Sequence, residues 1–166
     1  VRARRVLQQA ARDGASEQVE ALLQAGGLVN AQDEVDGASP LMLACKSGHV
    51  TTVNTLLRWR ADVHATMKDG RGALALSCQG GHSIVARLLL AAGAGVNQPL
   101  DDGWTPIMLA CAHGHDETLS LLLQANACIH TAAQSGETPL TAACRHGRME
   151  IARRLLAEGA DVDAVT

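Results

Sequence analysis

The sequence predicts an all-α solenoid of five stacked helix-turn-helix units joined by turn or hairpin fingers. Self-similarity carries this expectation. Leu-Leu pairs recur at Leu22-Leu23, Leu56-Leu57, Leu89-Leu90, Leu122-Leu123 and Leu155-Leu156, in steps of 34, 33, 33 and 33. Glycines keep the same step at Gly14, Gly48, Gly81, Gly114 and Gly147, and again at Gly37, Gly70, Gly103 and Gly136. Four cysteines, Cys45, Cys78, Cys111 and Cys144, follow them. The first step is longer because one extra residue sits between Gln32 and Asp36.

Taken in order, the units divide the chain at about 2–35, 36–68, 69–101, 102–134 and 135–166, forming one domain over residues 1–166. The first is truncated and has neither a turn nor a Thr-Pro cap. The second carries Ser39-Pro40, and the third has Gly72-Ala73 where its neighbours place a cap. In the fourth, Thr105 is expected to cap a helix with Pro106 in its first turn. The apolar run Ile107 to Cys111 follows and is broken at His113-Gly114-His115. A second helix spans roughly Glu117 to Gln124 and ends at Asn126 in a left-handed cap. His130 to Gly136 is polar and turn-prone, and leads into Thr138-Pro139 of the fifth unit. No helix pair of this size buries its apolar face alone, so the units must stack.

Composition excludes several functions. Of the 166 residues 47% are hydrophobic and 19% charged, enough for a core, and the net charge of -3 disfavours nucleic acid and anionic membranes. With no Tyr or Phe and only Trp59 and Trp104, the chain has no base-stacking platform. No apolar stretch approaches the ~20 residues of a membrane-spanning helix. The chain opens at Val1 on an Arg-rich stretch (Arg2, Arg4, Arg5), read as a solvated start. It closes at Val165-Thr166 just after a complete unit. It therefore reads as a segment of a longer protein.

The motifs Gly103-Trp104-Thr105-Pro106-Ile107, Gly136-Glu137-Thr138-Pro139-Leu140 and Gly37-Ala38-Ser39-Pro40-Leu41 resemble the ankyrin repeat. So do the tails Ala61-Asp62-Val63-His64 and Gly159-Ala160-Asp161-Val162-Asp163. The resemblance covers the whole chain. It implies a non-catalytic scaffold or adaptor that recognises a partner protein or extended peptide through a concave groove and finger loops. A regulatory or targeting module of a larger enzyme or channel, or a passive spacer, is the alternative. The departures are informative. The usual His after Thr-Pro-Leu is Met42, Ala75, Met108 and Thr141, and Arg60 stands where Gly26, Gly93, Asn126 and Gly159 favour a left-handed backbone.

Cysteine and histidine invite metal or nucleophilic chemistry, and neither is expected. Cys45 and His49, Cys78 and His82, and Cys111 and His115 are four apart, but a glycine between each pair should end the helix first. By the resemblance, Cys45, Cys78, Cys111 and Cys144 fill a small, buried helix-packing slot. Five free thiols point to a reducing, intracellular setting, cytoplasmic or nuclear, with Cys128 alone in an accessible loop. By the resemblance, His49, His82 and His115 bond to backbone, His64 and His130 fill an Asn slot, and His113 and His146 face the groove. No G-x-S-x-G, phosphate loop or H-E-x-x-H occurs, so the expectation is a non-enzyme without catalytic residue, cofactor or metal.

The fold predicts a right-angled stack with units about 10 Å apart and a groove on the order of 50 Å long. Its turn tips would present Val35, Ala38, Lys68, Asp69, Arg71, Asp101, Asp102, Trp104, Gln134 and Glu137. The first-helix ends would add Lys46, Ser47, Gln79, Ala112, His113, Arg145 and His146, and the second-helix ends Trp59 and Glu158. A basic end (Lys46, Lys68, Arg71) and an acidic middle (Asp101, Asp102) suit a protein or peptide partner of mixed charge, bound by a monomeric domain. Trp104 and Trp59 are expected to be exposed contacts rather than core. The reason is that the Trp104 slot holds Ala38, Arg71 and Glu137 elsewhere.

Overall fold

The computed structural model describes residues 2–162, except the side chain of Arg2; expectations attached to that side chain and to Val1, Asp163, Val165 and Thr166 lie outside the described residues. Among the described residues ten helices pair into five units: α1 (Arg2–Arg12) with α2 (Ser16–Gln24), α3 (Pro40–Lys46) with α4 (Val50–Arg58), α5 (Ala73–Gln79) with α6 (Ser83–Ala91), α7 (Pro106–His113) with α8 (Asp116–Gln124), and α9 (Pro139–Arg145) with α10 (Met149–Ala157). The odd-numbered helices stack into an inner row, and α2, α4, α6 and α8 into an outer one. The fold is the all-α repeat solenoid that the period of 33 predicts.

Local chemistry sets the ends of these helices. Ser39 Oγ accepts from Met42 N and Thr138 Oγ1 from Thr141 N, each at 3.3 Å, and Pro40 and Pro139 open their helices. Gly72 offers no side-chain cap to α5. Thr105 departs from expectation: its backbone caps α7, but its hydroxyl makes no cap bond and is buried without a partner. The second helix of that unit begins at Asp116, one residue early. Arg60 and Asn126 do take the left-handed backbone, at φ 60° and 62°.

The core is a band of small and aliphatic side chains running between the rows. Leu56, Leu89, Leu122 and Leu155 are fully buried, as are Cys45, Cys78 and Cys111. Burial pushes the Cys78 and Cys111 thiols up to about 12 and the Cys45 thiol well above its ordinary value. Cys144 corrects the sequence reading. It occupies the same slot but is exposed, because no described helix packs on the far side of α9.

The units are locked together below the fingers by a ladder of imidazoles. His49 Nε2 donates to Arg12 O at 2.9 Å, His82 Nε2 to Lys46 O at 3.2 Å and His115 Nε2 to Gln79 O at 3.0 Å. In the last unit Arg148 Nε takes over, donating to Ala112 O at 3.1 Å. Each ring, and the Arg148 side chain in its turn, lies on the glycine of the preceding unit. A Cβ at Gly48 would stand 2.5 Å from His82 Nδ1, and one at Gly81 2.4 Å from His115 Nδ1. The rings thus serve unit stacking, while their cysteine neighbours in sequence sit in the core.

Candidate recognition surface

The fingers are built by one repeated device. Asp36, Asp69 and Asp102 each turn a carboxylate oxygen onto the backbone N–H two residues on, at Ala38 (2.9 Å), Arg71 (3.1 Å) and Trp104 (3.0 Å). Ser135 does the same for Glu137 with its hydroxyl at 3.4 Å. The carbonyls of those aspartates then accept from the next finger: Lys68 N to Asp36 O at 2.9 Å, Asp101 N to Asp69 O at 3.4 Å and Gln134 N to Asp102 O at 2.9 Å. Thr66 and Gly72 form an antiparallel bridge across the base of one finger. Side chains reinforce the row, with Gln32 Nε2 on Thr66 O and Gln134 Nε2 on Asp101 O. The turn tips therefore form one laterally bonded strip.

Beside the fingers lie the C-terminal ends of the inner helices. The two rows are clasped through a spacing of eight. Arg71 Nη1 donates to Gln79 Oε1 at 3.4 Å, and Arg145 Nε lies 3.2 Å from Glu137 Oε1. Glu137 Oε1 makes no hydrogen bond, so Arg145 holds that carboxylate by charge rather than by an aligned N–H.

This geometry corrects part of the expected surface. Glu137 is 3% exposed and Ala38 2%, so the slot after the turn glycine is covered, not open. Trp104, in that slot, is half-buried and packed against the core, as is Trp59. Ala112 is buried too. For Ala38, Trp104 and Glu137 the reason is shared: their slot sits under the finger and against the helix end of its own unit. A small, charged or aromatic side chain can each fill that space.

The remaining expected residues are placed as follows. Lys46, Lys68, Asp101, Asp102, Arg145, His113 and His146 are exposed on the strip and the helix ends, and Arg71 is half-buried. Besides Arg145 on Glu137, two more of these cations are already engaged. Arg71 pairs with Asp69 at 2.6 Å, a contact that holds the Asp69 carboxyl below its usual range, and Lys68 Nζ donates to Glu34 O at 2.6 Å. His113 bonds its own helix through Nδ1 on Leu109 O and stacks on His115, with centroids 6.0 Å apart. Arg4, expected in a solvated cluster, pairs with Glu34. Asn30 and Asn97 accept from the next unit's Asp62 N and Cys128 N, each at 2.8 Å, from the slot where His64 and His130 stand.

A cleft of about 430 Å³ opens where the finger of unit two meets the ends of α1 and α3, lined by Arg12, Asp36, Ala38, Met42, Leu43, Lys46, Ser47, Met67 and Leu76. Arg12 and Met67 were not singled out by sequence. Arg12 does occupy the Lys46 register, 34 residues earlier, and that offset alone would have found it. Among the described residues no three His, Cys, Asp or Glu side chains converge as a metal site, and no helix is long and apolar enough to cross a membrane.

Comparison with known proteins fits this geometry. A family model of three ankyrin repeats matches twice, over residues 7–99 and 74–166. No curated protein matches the chain.

Proposed function

Since the chain belongs to the ankyrin-repeat family, whose repeats are generally protein–protein interaction modules, we propose that it is a non-catalytic recognition scaffold or adaptor. It would engage a partner protein or an extended peptide along the finger strip and the inner-helix ends. The observation that carries this reading is a division of labour within the repeat. Positions that hold the stack barely vary: the leucines of the outer helices, the cysteines, the glycines and the ladder histidines. Positions on the strip change chemistry from unit to unit, as in Arg12, Lys46, Gln79, Ala112 and Arg145, or Lys68, Asp101 and Gln134. A spacer has no use for a laterally bonded strip with individually varied side chains.

The test is capture from a cell lysate by the wild-type chain and by two variants. One is altered on the strip (Lys46→Glu with Asp101→Lys) and the other on the outer row (Arg87→Glu with Glu117→Lys). Proteins retained by wild type and the outer-row variant but lost by the strip variant support the proposal. Retention by all three overturns it.

A further inference from the structure

We propose that the cleft at the ends of α1 and α3 is a docking site for an acidic, extended segment of a partner protein, taking an apolar side chain beneath its carboxylates. This rests on the scaffold reading and names the chemistry that the scaffold selects.

Charge is the first ground. Arg12 and Lys46 end α1 and α3, both are exposed, and neither has a carboxylate partner among the described residues. Arg4, Arg71, Arg145, Arg153 and Arg154 have one; among the described residues Arg5, Arg58, Arg60, Arg87 and Arg148 have none either, but Arg12 and Lys46 are the cations that line this cleft. Arg12 and Lys46 occupy the same register of adjacent units, so they stand about one helix-packing distance apart, roughly 10 Å. Three residues of extended chain span about that length.

Shape is the second ground. The space between them, about 430 Å³, falls within the range of about 300–1,000 Å³ usual for ligand pockets. Its floor is apolar, from Leu43, Met67 and Leu76, with the two cations at the rim. Asp36 lines the same cleft from the finger, with one carboxylate oxygen committed to Ala38 N. Its charge repels an acidic ligand at that end and so orients the carboxylates toward the helix termini. The backbone under Arg12 and Lys46 is fixed, because both carbonyls accept the ladder histidines His49 and His82. The site is thus largely formed before a ligand arrives.

The test selects a phage-displayed library of random peptides on the immobilised chain. Enriched sequences are resynthesised and titrated against wild type, Arg12→Glu/Lys46→Glu, Lys46→Gln, Lys46→Arg and Trp104→Ala. The expected result is enrichment of Asp or Glu close to Leu, Ile or Met. Affinity should fall at least about tenfold in the charge-reversed protein and severalfold in Lys46→Gln, while Lys46→Arg binds like wild type. Lys46→Gln decides the matter should the double reversal fail to fold. Enriched peptides that ignore these substitutions but weaken with Trp104→Ala overturn the acidic site and leave the scaffold reading standing. A library that enriches nothing overturns both.

Discussion

His115 Nε2 and the carbonyl oxygen of Gln79, 36 residues apart in the chain, lie 3.0 Å apart. A carbonyl only accepts, so the imidazole carries its proton on Nε2. The same ring lies on Gly81, whose φ is 71°, leaving no room for a Cβ. Hydrogen bond and ring contact together join units three and four.

Removing that join should be costly. His115→Ala is expected to destabilise the chain by about 1–3 kcal/mol, since it leaves a carbonyl and a ring-sized gap between units. Gly81→Ala should cost more than about 1 kcal/mol, from a left-handed alanine and the collision with the ring. Urea unfolding of both variants and the double mutant measures this. The double should be less destabilised than the sum, because the collision vanishes with the ring; strict additivity would contradict the contact.

Arg60 is the one residue in its register that combines a left-handed backbone, φ 60°, with a side chain other than Gly or Asn. Arg60→Gly should therefore stabilise the chain by about 1 kcal/mol, a rise of roughly 2–4 °C in Tm. An unchanged or lower Tm would show that the Arg60 side chain contributes contacts worth as much as the strain.

The α5 helix, with neither a side-chain cap nor a Pro in its first turn, marks where the array opens first. Gly72 has an ordinary negative φ of -96°, and a Cβ there would meet nothing closer than Ala65 O at 3.4 Å. Gly72→Ser should supply the missing cap and add about 0.5–1 kcal/mol. Amide exchange in wild type should be fastest, among internal units, from Arg71 to Gly81 and slow in the variant. Equal protection across units two to four would contradict this.

Thiol reactivity separates the five cysteines. Cys128 and Cys144 are exposed, and hydrogen bonds from the Thr131 side chain and the His130 backbone hold the Cys128 thiol below its ordinary value. In native protein a disulfide reagent should titrate these two, Cys128 first, while Cys45, Cys78 and Cys111 react only on unfolding. Three or more fast thiols would mean that the units separate far more readily than their packing implies.

Trp104→Ala is expected to weaken partner binding by about 2 kcal/mol, and also to cost about 1–2 kcal/mol of stability because the ring packs on the core. Titration of any captured partner, with a melting curve alongside, measures both. Full binding with reduced stability would make Trp104 a core residue alone.

Most of the architecture was legible because periodicity reports packing directly. Leu56, Leu89, Leu122 and Leu155 recur because each must enter the same environment, and that recurrence places ten helices without any distance being known. The binding surface was less legible. The slot of Ala38, Arg71, Trp104 and Glu137 reads as solvent by composition, yet it is covered. Three unlike chemistries fill it: an Arg71–Gln79 bond, an Arg145–Glu137 ion pair and a ring on the core.

The sequence by itself determined the repeat, the helix pairs, the left-handed turn at Arg60 and the loop position of the ladder histidines, because these follow from spacing and local backbone preference. Tertiary structure alone decided which copy of a repeated residue is covered, and by what. Cys111 is buried and Cys144 exposed at one register, since burial depends on the neighbouring unit and not on the residue's own. Arg12 and Lys46 become one site for the same reason: stacking sets the ends of two helices, 34 residues apart in sequence, on either side of a single cleft.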